Sequence, residues 1–283
     1  HRHSSAASDV YKRQKLEQVG SYAGISMQSI PVYLLLLLLS TLRVGSFLLS
    51  SPFFGSRMVP LPVRIVFSFG IGVWVLSNIK LPPLEILVGI DLLPIILQEV
   101  FIGLSCGMVL SICFGTVILA GEKIATTSGL AFASQVDPSS GAQSPVISQI
   151  FSLFLLVLFF SLNGHLVIFE LIFQSYETLP IGGMVEYKKI IENSLTSTNF
   201  LFKTAVVIVL PIVSILFFMN IGIGFITKSA PQLNLFSFGF PMTILGTFFA
   251  LYFSVDALQF VFAELIDEAI GIVKMVLGDL GDG

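Results

Sequence analysis

Six long apolar segments limit what this chain can fold into. They cover residues 30–50, 63–79, 95–120, 146–173, 200–226 and 241–265. A helix needs about 20 apolar residues to cross the hydrocarbon core of a bilayer, and each segment reaches or approaches that length. Prolines lie in every connection, and because a proline has no backbone N–H, it marks where a helix ends. The sequence therefore predicts an all-α membrane protein of about six apolar helices.

The charge content argues against a soluble globular domain. Only 11% of the 283 residues are charged and 55% are hydrophobic, whereas a soluble domain carries about 25% charged residues. Lipid solvates apolar side chains directly, so a membrane location removes this difficulty. The 14 lysines and arginines are scattered without a basic stripe, which argues against nucleic acid as a partner.

We expect a single helical membrane domain over residues 25–270. Residues 1–14 are polar and have neither an initiating Met nor the apolar core of a signal peptide. We interpret them as a scar of cloning or sequence assembly rather than as native protein. Residues 271–283 are expected to form a short acidic C-terminal tail.

Between the fourth and fifth segments, apolar residues recur at helical spacing. They are Met184, Tyr187, Ile191 and Leu195. Charged residues lie off this stripe, which predicts a short amphipathic helix at the membrane interface or against a partner.

The positive charges do not decide the orientation in the membrane. If all six segments span, the side of the C-terminus holds Lys80, Lys188, Lys189 and Lys274. The opposite side holds Arg57, Arg64, Lys123 and Lys228. Cytoplasmic loops normally carry the excess of Lys and Arg, so this tie leaves the orientation open. It also fits a chain whose segments do not all span as simple helices.

The third segment carries a line of small residues at every fourth position. They are Gly103, Gly107, Ser111 and Gly115. Such a line lets another helix backbone approach closely, so we expect this helix to have a close neighbour.

Three charged residues lie inside apolar segments and are expected to be buried: Arg43, Glu99 and Asp256. A charge at mid-bilayer costs about 3 kcal/mol on insertion scales, so such side chains normally face protein and find partners. The opposite signs allow an Arg43–Glu99 or an Arg43–Asp256 pair. A proton pathway through the carboxylates is the alternative role.

The sequence contains no catalytic or metal-binding motif. GxSxG, HExxH, P-loop and Rossmann patterns are all missing. Cys106 and Cys113 are too far apart on a helix for a disulfide and are expected to be buried free thiols. His165 follows Asn163 and Gly164 without a second metal ligand, so we interpret it as part of a helix interruption or as a hydrogen-bonding side chain. We expect neither an enzyme nor a cofactor.

Six blocks of sequence, in order along the chain, carry a resemblance to a known family. They are residues 42–64, 98–107, 121–145, 162–166, 179–182 and 230–241. Together they resemble the family of the flagellar biosynthetic protein FliR, which also includes the T-type subunit of virulence type III secretion systems. One departure lies at Thr127 and Ser128, where the family usually has Gln-Met.

The resemblance implies a subunit of the type III export gate in the bacterial inner membrane, at the flagellar basal body. In that family, the subunit joins FliP- and FliQ-type subunits in a helical assembly of helix hairpins around a channel for unfolded proteins. FlhB- and FlhA-type export proteins, unfolded export substrates and membrane lipid are the other implied partners. Hairpins of the family are displaced towards the periplasm and need not span as hydropathy indicates, which would account for the tied charge count.

The resemblance also implies a role for residues 121–133. By composition they are the polar end of an apolar helix that leads into a turn at Asp137 and Pro138. In the family, the matching segment contributes to a plug that closes the pore, and small polar residues with glycine hinges suit a plug that must move during export. The implied plug residues are Gly121, Glu122, Lys123, Ile124, Thr127, Ser128, Gly129, Leu130 and Phe132.

Two alternatives to a flagellar export subunit stay open. One is the virulence T-type subunit. The other is a secondary transporter that moves a small solute with protons through Glu99 or Asp256. A transporter should bind its solute as a purified monomer or homodimer, whereas an export subunit should be poorly stable without its partners.

Overall fold

The structure is a computed structural model, and it describes residues 30–55, 59–78, 92–130, 145–183, 185, 187–230, 232 and 238–278. Eight helices run through these residues: α1 (Ile30–Ser50), α2 (Leu61–Asn78), α3 (Leu92–Thr127), α4 (Val146–Ser161), α5 (Gly164–Thr178), α6 (Tyr187–Ser229), α7 (Phe240–Phe253) and α8 (Val255–Gly278). This described part of the chain contains no strand. The prediction of an all-α membrane protein is confirmed. Residues 1–14, interpreted as a scar, lie outside the described residues.

Helix α3 forms the centre of the fold. It packs against α1, α4, α6 and α8, and buried residues recur along it from Ile95 to Ala125. In lipid, helix association gains little from hydrophobic burial, so this packing depends on close van der Waals contact and on hydrogen bonds between helices.

Two neighbouring pairs of helices are packed side by side as hairpins. In the first, the Ser40 hydroxyl of α1 donates to the Gly72 carbonyl of α2 at 3.2 Å. In the second, Gly246 of α7 lies directly against the Met219 side chain of α6. Small residues at both contacts let the helices approach closely.

The fourth predicted segment, residues 146–173, is two helices rather than one. α4 and α5 are bent by 64° at the break between them. Asn163 takes the left-handed conformation with φ 57°, which ends the run of helical hydrogen bonds. Gly164 follows against the Phe159 ring, where a Cβ would lie 2.7 Å from two ring carbons. The structure therefore places the interruption at Leu162 and Asn163, just before His165.

The sixth predicted segment, residues 241–265, is also divided. α7 has 14 residues, which is too short to cross a bilayer core of about 30 Å. After the break at Ser254, α8 continues to Gly278. Val273 and Leu277 of α8 are buried, so the acidic tail expected from residue 271 is packed helix as far as Gly278.

Helix α6 is longer than the predicted fifth segment, with 43 residues. The short amphipathic helix expected near residues 184–195 forms its first turns instead of a separate element. Tyr187, Ile191 and Leu195 of the predicted stripe are 45%, 51% and 63% exposed. Ile191 and Leu195 therefore face away from this chain, towards lipid or a partner, whereas the half-exposed Tyr187 ring also contacts that of Phe101 on α3. Met184 lies outside the described residues.

Among the residues that the structure describes, four helices could cross a membrane by length and composition, namely α1, α2, α3 and the apolar part of α6. The bent pair α4–α5 raises the number to five if it counts as one span. The sixth predicted segment is not among these candidate spans, because the break at Ser254 divides it into two pieces that do not qualify.

Candidate functional site

Arg43 of α1 lies at the centre of a buried polar cluster. Its Nε donates to Glu99 Oε2 at 2.8 Å, and its Nη2 donates to Glu99 Oε1 at 3.0 Å. The two side chains are 1% and 0% exposed. A guanidinium that meets a carboxylate at two points combines charge attraction with a fixed geometry. Of the two pairs that the sequence allowed, the structure forms Arg43–Glu99.

Uncharged groups at the end of α5 complete the cluster. Arg43 Nη1 donates to Ser175 Oγ at 2.9 Å, and Nη2 also donates to the Leu179 carbonyl at 3.0 Å. The guanidinium carbon lies 4.1 Å from the centre of the Tyr176 ring. The Tyr176 hydroxyl donates to the Ser40 carbonyl at 2.7 Å. Arg43 therefore ties α1, α3 and α5 together.

The sequence interpretation missed these partners of Arg43. Ser175 and Leu179 are 132 and 136 residues away from Arg43 along the chain. A single hydroxyl or a backbone carbonyl within an apolar segment gives no sequence signal that it binds a distant arginine. The neighbouring Gln98 was missed for the same reason, although its Nε2 donates to the Gly183 carbonyl at 2.9 Å. Together these bonds fasten the start of the α5–α6 connection to α1 through Arg43 and to α3 through Gln98.

Asp256 does not belong to the buried cluster. It is exposed and lies in the first turn of α8. The break at Ser254 makes residue 256 part of a helix N-terminus, where a carboxylate interacts favourably with the helix dipole. The expectation that Asp256 is a buried charge was wrong, because the break was not visible in the apolar pattern.

Three of the four small residues on α3 contact α1. A Cβ on Gly103 would collide with Ser46 Oγ and with the Arg43 carbonyl. A Cβ on Gly107 would collide with Ser50 Oγ and lie 2.8 Å from the Phe47 carbonyl oxygen. Next along the line, the Ser111 hydroxyl donates to the Ser50 carbonyl. The close neighbour expected for this helix is therefore α1 of the same chain.

Gly115 does not take part in this contact. It is exposed, and a Cβ built on it would meet nothing within 4 Å. Because α1 ends at Ser50, opposite Ser111, the line of small residues continues beyond the end of its neighbour. The prediction of close packing at Gly115 was wrong within this chain.

The implied plug residues lie at the end of α3. Gly121, Glu122, Lys123, Ile124 and Thr127 belong to the helix, whereas Ser128, Gly129 and Leu130 form the turn that follows. Phe132 lies outside the described residues. The helix thus continues through residue 127, seven residues beyond the predicted end at residue 120.

The last two turns of α3 are packed rather than free. Ile124 and Ser128 are 0% exposed, and a Cβ on Gly121 would lie 2.6 Å from Ser148 Cα of α4. In this conformation Ile124 packs in the core of the chain. Gly121 is a close contact between α3 and α4.

Nothing in the described part of the chain indicates a metal or redox centre. No three His, Cys, Asp or Glu side chains among these residues form a group that could hold a metal ion. Cys106 and Cys113 are both buried and free. The His165 ring lies against that of Phe160, with ring centres 4.8 Å apart and ring planes tilted by 46°.

Known proteins resemble this chain over most of its length. Residues 34–269 match the model of a family described as bacterial export proteins, family 1. The flagellar biosynthetic protein FliR of Bacillus subtilis strain 168 is 30% identical over 251 residues, which cover 86% of this chain and 95% of that protein. FliR of Escherichia coli K12 is 30% identical over 203 residues, with 72% and 77% covered. FliR of Aquifex aeolicus is 31% identical over 212 residues, with 75% and 82% covered.

These similarities extend across the helices that hold the buried cluster and the end of α3. The family match begins within α1 and ends within α8, so it covers far more than half of the chain. This chain therefore belongs to family 1 of the bacterial export proteins, the family of the flagellar biosynthetic protein FliR.

Proposed function

We propose that this chain is a subunit of the flagellar type III export gate, through which unfolded flagellar proteins leave the cytoplasm. The family match over residues 34–269 carries this proposal, and the curated relatives are flagellar biosynthetic proteins. The chain is then a multi-pass protein of the bacterial inner membrane at the flagellar basal body, in agreement with its four or five apolar candidate spans. It acts as a structural part of an export apparatus rather than as an enzyme.

Broad apolar surfaces support a place inside a larger membrane complex. Large exposed side chains cover one side of α6 and α7, among them Phe218, Phe225, Tyr252 and Phe253. Beside them, an open groove of about 570 Å³ runs between α3 and α6, with almost entirely apolar walls. Lipid and neighbouring subunits both cover such surfaces. We propose that FliP- and FliQ-type subunits pack here and that FlhB- and FlhA-type proteins complete the apparatus.

Co-expression tests this assignment. Produced together with the P- and Q-type subunits of the same genome, the chain is expected to enter one complex that stays intact during size-exclusion chromatography in detergent. Produced alone, it should aggregate, because its exposed apolar faces have no protein partner. In the host, deletion of its gene should stop export of the filament protein. A chain that is stable alone and binds a small solute would contradict the proposal and favour the transporter.

The buried cluster gives the transporter no support. Glu99 is 0% exposed and is held at two points by Arg43, so it is not open to a solute path. Asp256 is exposed on a different helix. The Arg43–Glu99 ion pair therefore makes Glu99 unsuited to the proton pathway of a transporter, and Asp256 does not lie in the same buried cluster.

We further propose that the end of α3 and the turn after it contribute to the plug that closes the export pore. Removal of residues 129–133 would shorten the chain after Ser128 and leave α3 in place. The complex should then assemble at the parent yield but let small solutes leak, because the closed pore would lack part of its seal. Solute uptake into vesicles that contain each complex would measure the leak. A deletion complex as tight as the parent would rule out the plug role.

A further inference from the structure

The turn that ends α3 is held by a hydroxyl from α7. Thr243 Oγ1 donates to the Ser128 carbonyl at 2.9 Å, and these two residues are 3% and 0% exposed. The Ser128 carbonyl follows the last turn of α3, where carbonyls have no partner within the helix and need one from outside. The same hydroxyl lies 3.0 Å from the Phe240 carbonyl of its own helix, so its single proton is shared between two acceptors.

The Phe240 ring holds the next residue of the turn. Gly129 has φ +81°, and a Cβ there would lie 2.8 Å from Phe240 Cδ1. A left-handed backbone position pressed against a ring admits glycine and strains any other residue. Ser128 Oγ donates to the Ala125 carbonyl at 2.9 Å and accepts the Leu130 N–H at 3.4 Å. The direction in which the chain leaves α3 is therefore set by these contacts.

We propose that Thr243 and Phe240 are positioning residues that keep the candidate plug seated while the export gate is closed. We call their contact with Ser128 and Gly129 the α7 clamp. The inference rests on the plug role proposed above. Ser128 and Thr243 are 115 residues apart, so the clamp joins the central helix to the hairpin of α6 and α7. When the plug moves away from its resting position, either the Thr243–Ser128 bond breaks or α7 moves with it.

Three substitutions distinguish the effect of the clamp hydrogen bond from the effect of ordinary side-chain packing. Thr243→Val removes the hydroxyl with little change of shape, whereas Thr243→Ser retains it. Thr247 offers a matched control one turn further along α7. It is also 0% exposed, but its hydroxyl donates to the Thr243 carbonyl of its own helix at 2.7 Å. Thr247→Val therefore removes a buried hydroxyl whose hydrogen bond lies within α7.

Two measurements on the assembled complex test the clamp. Amide hydrogen exchange at Gly129 and Leu130 should be about fivefold faster in Thr243→Val, since one buried hydrogen bond is lost. Solute leak should rise in the same variant. Both values should match the parent in Thr243→Ser and in Thr247→Val. Unchanged exchange in Thr243→Val would show that there is no clamp, and faster exchange without a leak would overturn its link to the gate.

The experiments can disprove the proposed plug role and the proposed clamp independently of each other. If removal of residues 129–133 leaves the complex tight, the plug role is wrong whatever Thr243 does. If that deletion leaks but Thr243→Val with loosened exchange stays tight, only the clamp inference is wrong. Should Thr243→Val fail to assemble, Phe240→Leu provides the second variant. It weakens the ring contact with Gly129, keeps an apolar side chain, and is expected to raise exchange and leak in the same way.

Discussion

Replacement of Arg43 by alanine is expected to destabilise the protein by about 3–5 kcal/mol. The substitution leaves the Glu99 carboxylate in a dry interior without its cation, which is the costly way to break a buried ion pair. It also removes the donors that serve Ser175 Oγ and the Leu179 carbonyl. The temperature at which half of the co-expressed complex stays monodisperse in detergent should fall sharply, and the yield of that complex should fall with it.

A second substitution identifies the partner of Arg43. Glu99→Gln, added to Arg43→Ala, should restore part of the lost stability because it removes the unpaired charge. Asp256→Asn is the matched control, since Asp256 is exposed on α8 and should restore nothing. The pairing would be refuted if Glu99→Gln gave no rescue, or if Asp256→Asn rescued equally well.

Gly107→Leu is expected to be the second most damaging substitution, at about 3 kcal/mol, near the upper end of the range for overpacking. Even a Cβ at this position would collide with Ser50 Oγ and lie 2.8 Å from the Phe47 carbonyl oxygen. Backbone atoms cannot rotate away as a flexible side chain does, so α1 and α3 must separate. The same thermal assay measures the loss.

Gly115→Leu provides the control for Gly107→Leu. Both residues are glycines on α3, but Gly115 is exposed and a Cβ there meets nothing within 4 Å. Gly115→Leu should therefore leave the packing of α1 against α3, and with it the stability of the subunit fold, nearly unchanged. If the two variants were equally stable, the close approach of α1 and α3 would not be a requirement of the fold.

Because the close contact of α3 lies within this chain, a glycine variant on α3 tests the fold of the subunit before it tests assembly. A line of small residues predicts a near neighbour without saying which helix supplies it. Since the neighbour of Gly103 and Gly107 is α1 of the same chain, loss of complex in Gly107→Leu would follow from misfolding of the subunit. Gly115 lies beside a separate apolar recess against Phe202 and Ala205 of α6, so an assembly defect without loss of subunit stability would point to that surface.

The apolar pattern by itself determined the class of fold and much of its helical content. Helix α1 has the bounds predicted for the first segment, and α2 differs by two residues at its start and one at its end. Long apolar runs leave few choices, because in lipid every backbone N–H and C=O must be satisfied within the segment. The same reasoning identified Arg43 and Glu99 as groups in need of partners.

Only the tertiary structure decided that the last apolar run breaks, how sharply the chain bends at Asn163 and which groups meet. The breaks at Asn163 and Ser254 lie in stretches that stay apolar on both sides, so hydropathy continues through them while the helix does not. Those breaks bring Ser175 and Leu179 to Arg43 and leave Asp256 exposed. The hydrogen bond between Thr243 and Ser128 joins residues that are far apart in sequence. No sequence pattern around a hydroxyl or a backbone carbonyl indicates which distant group it will bind. Their pairing depends on how whole helices pack around α3, which local sequence does not specify.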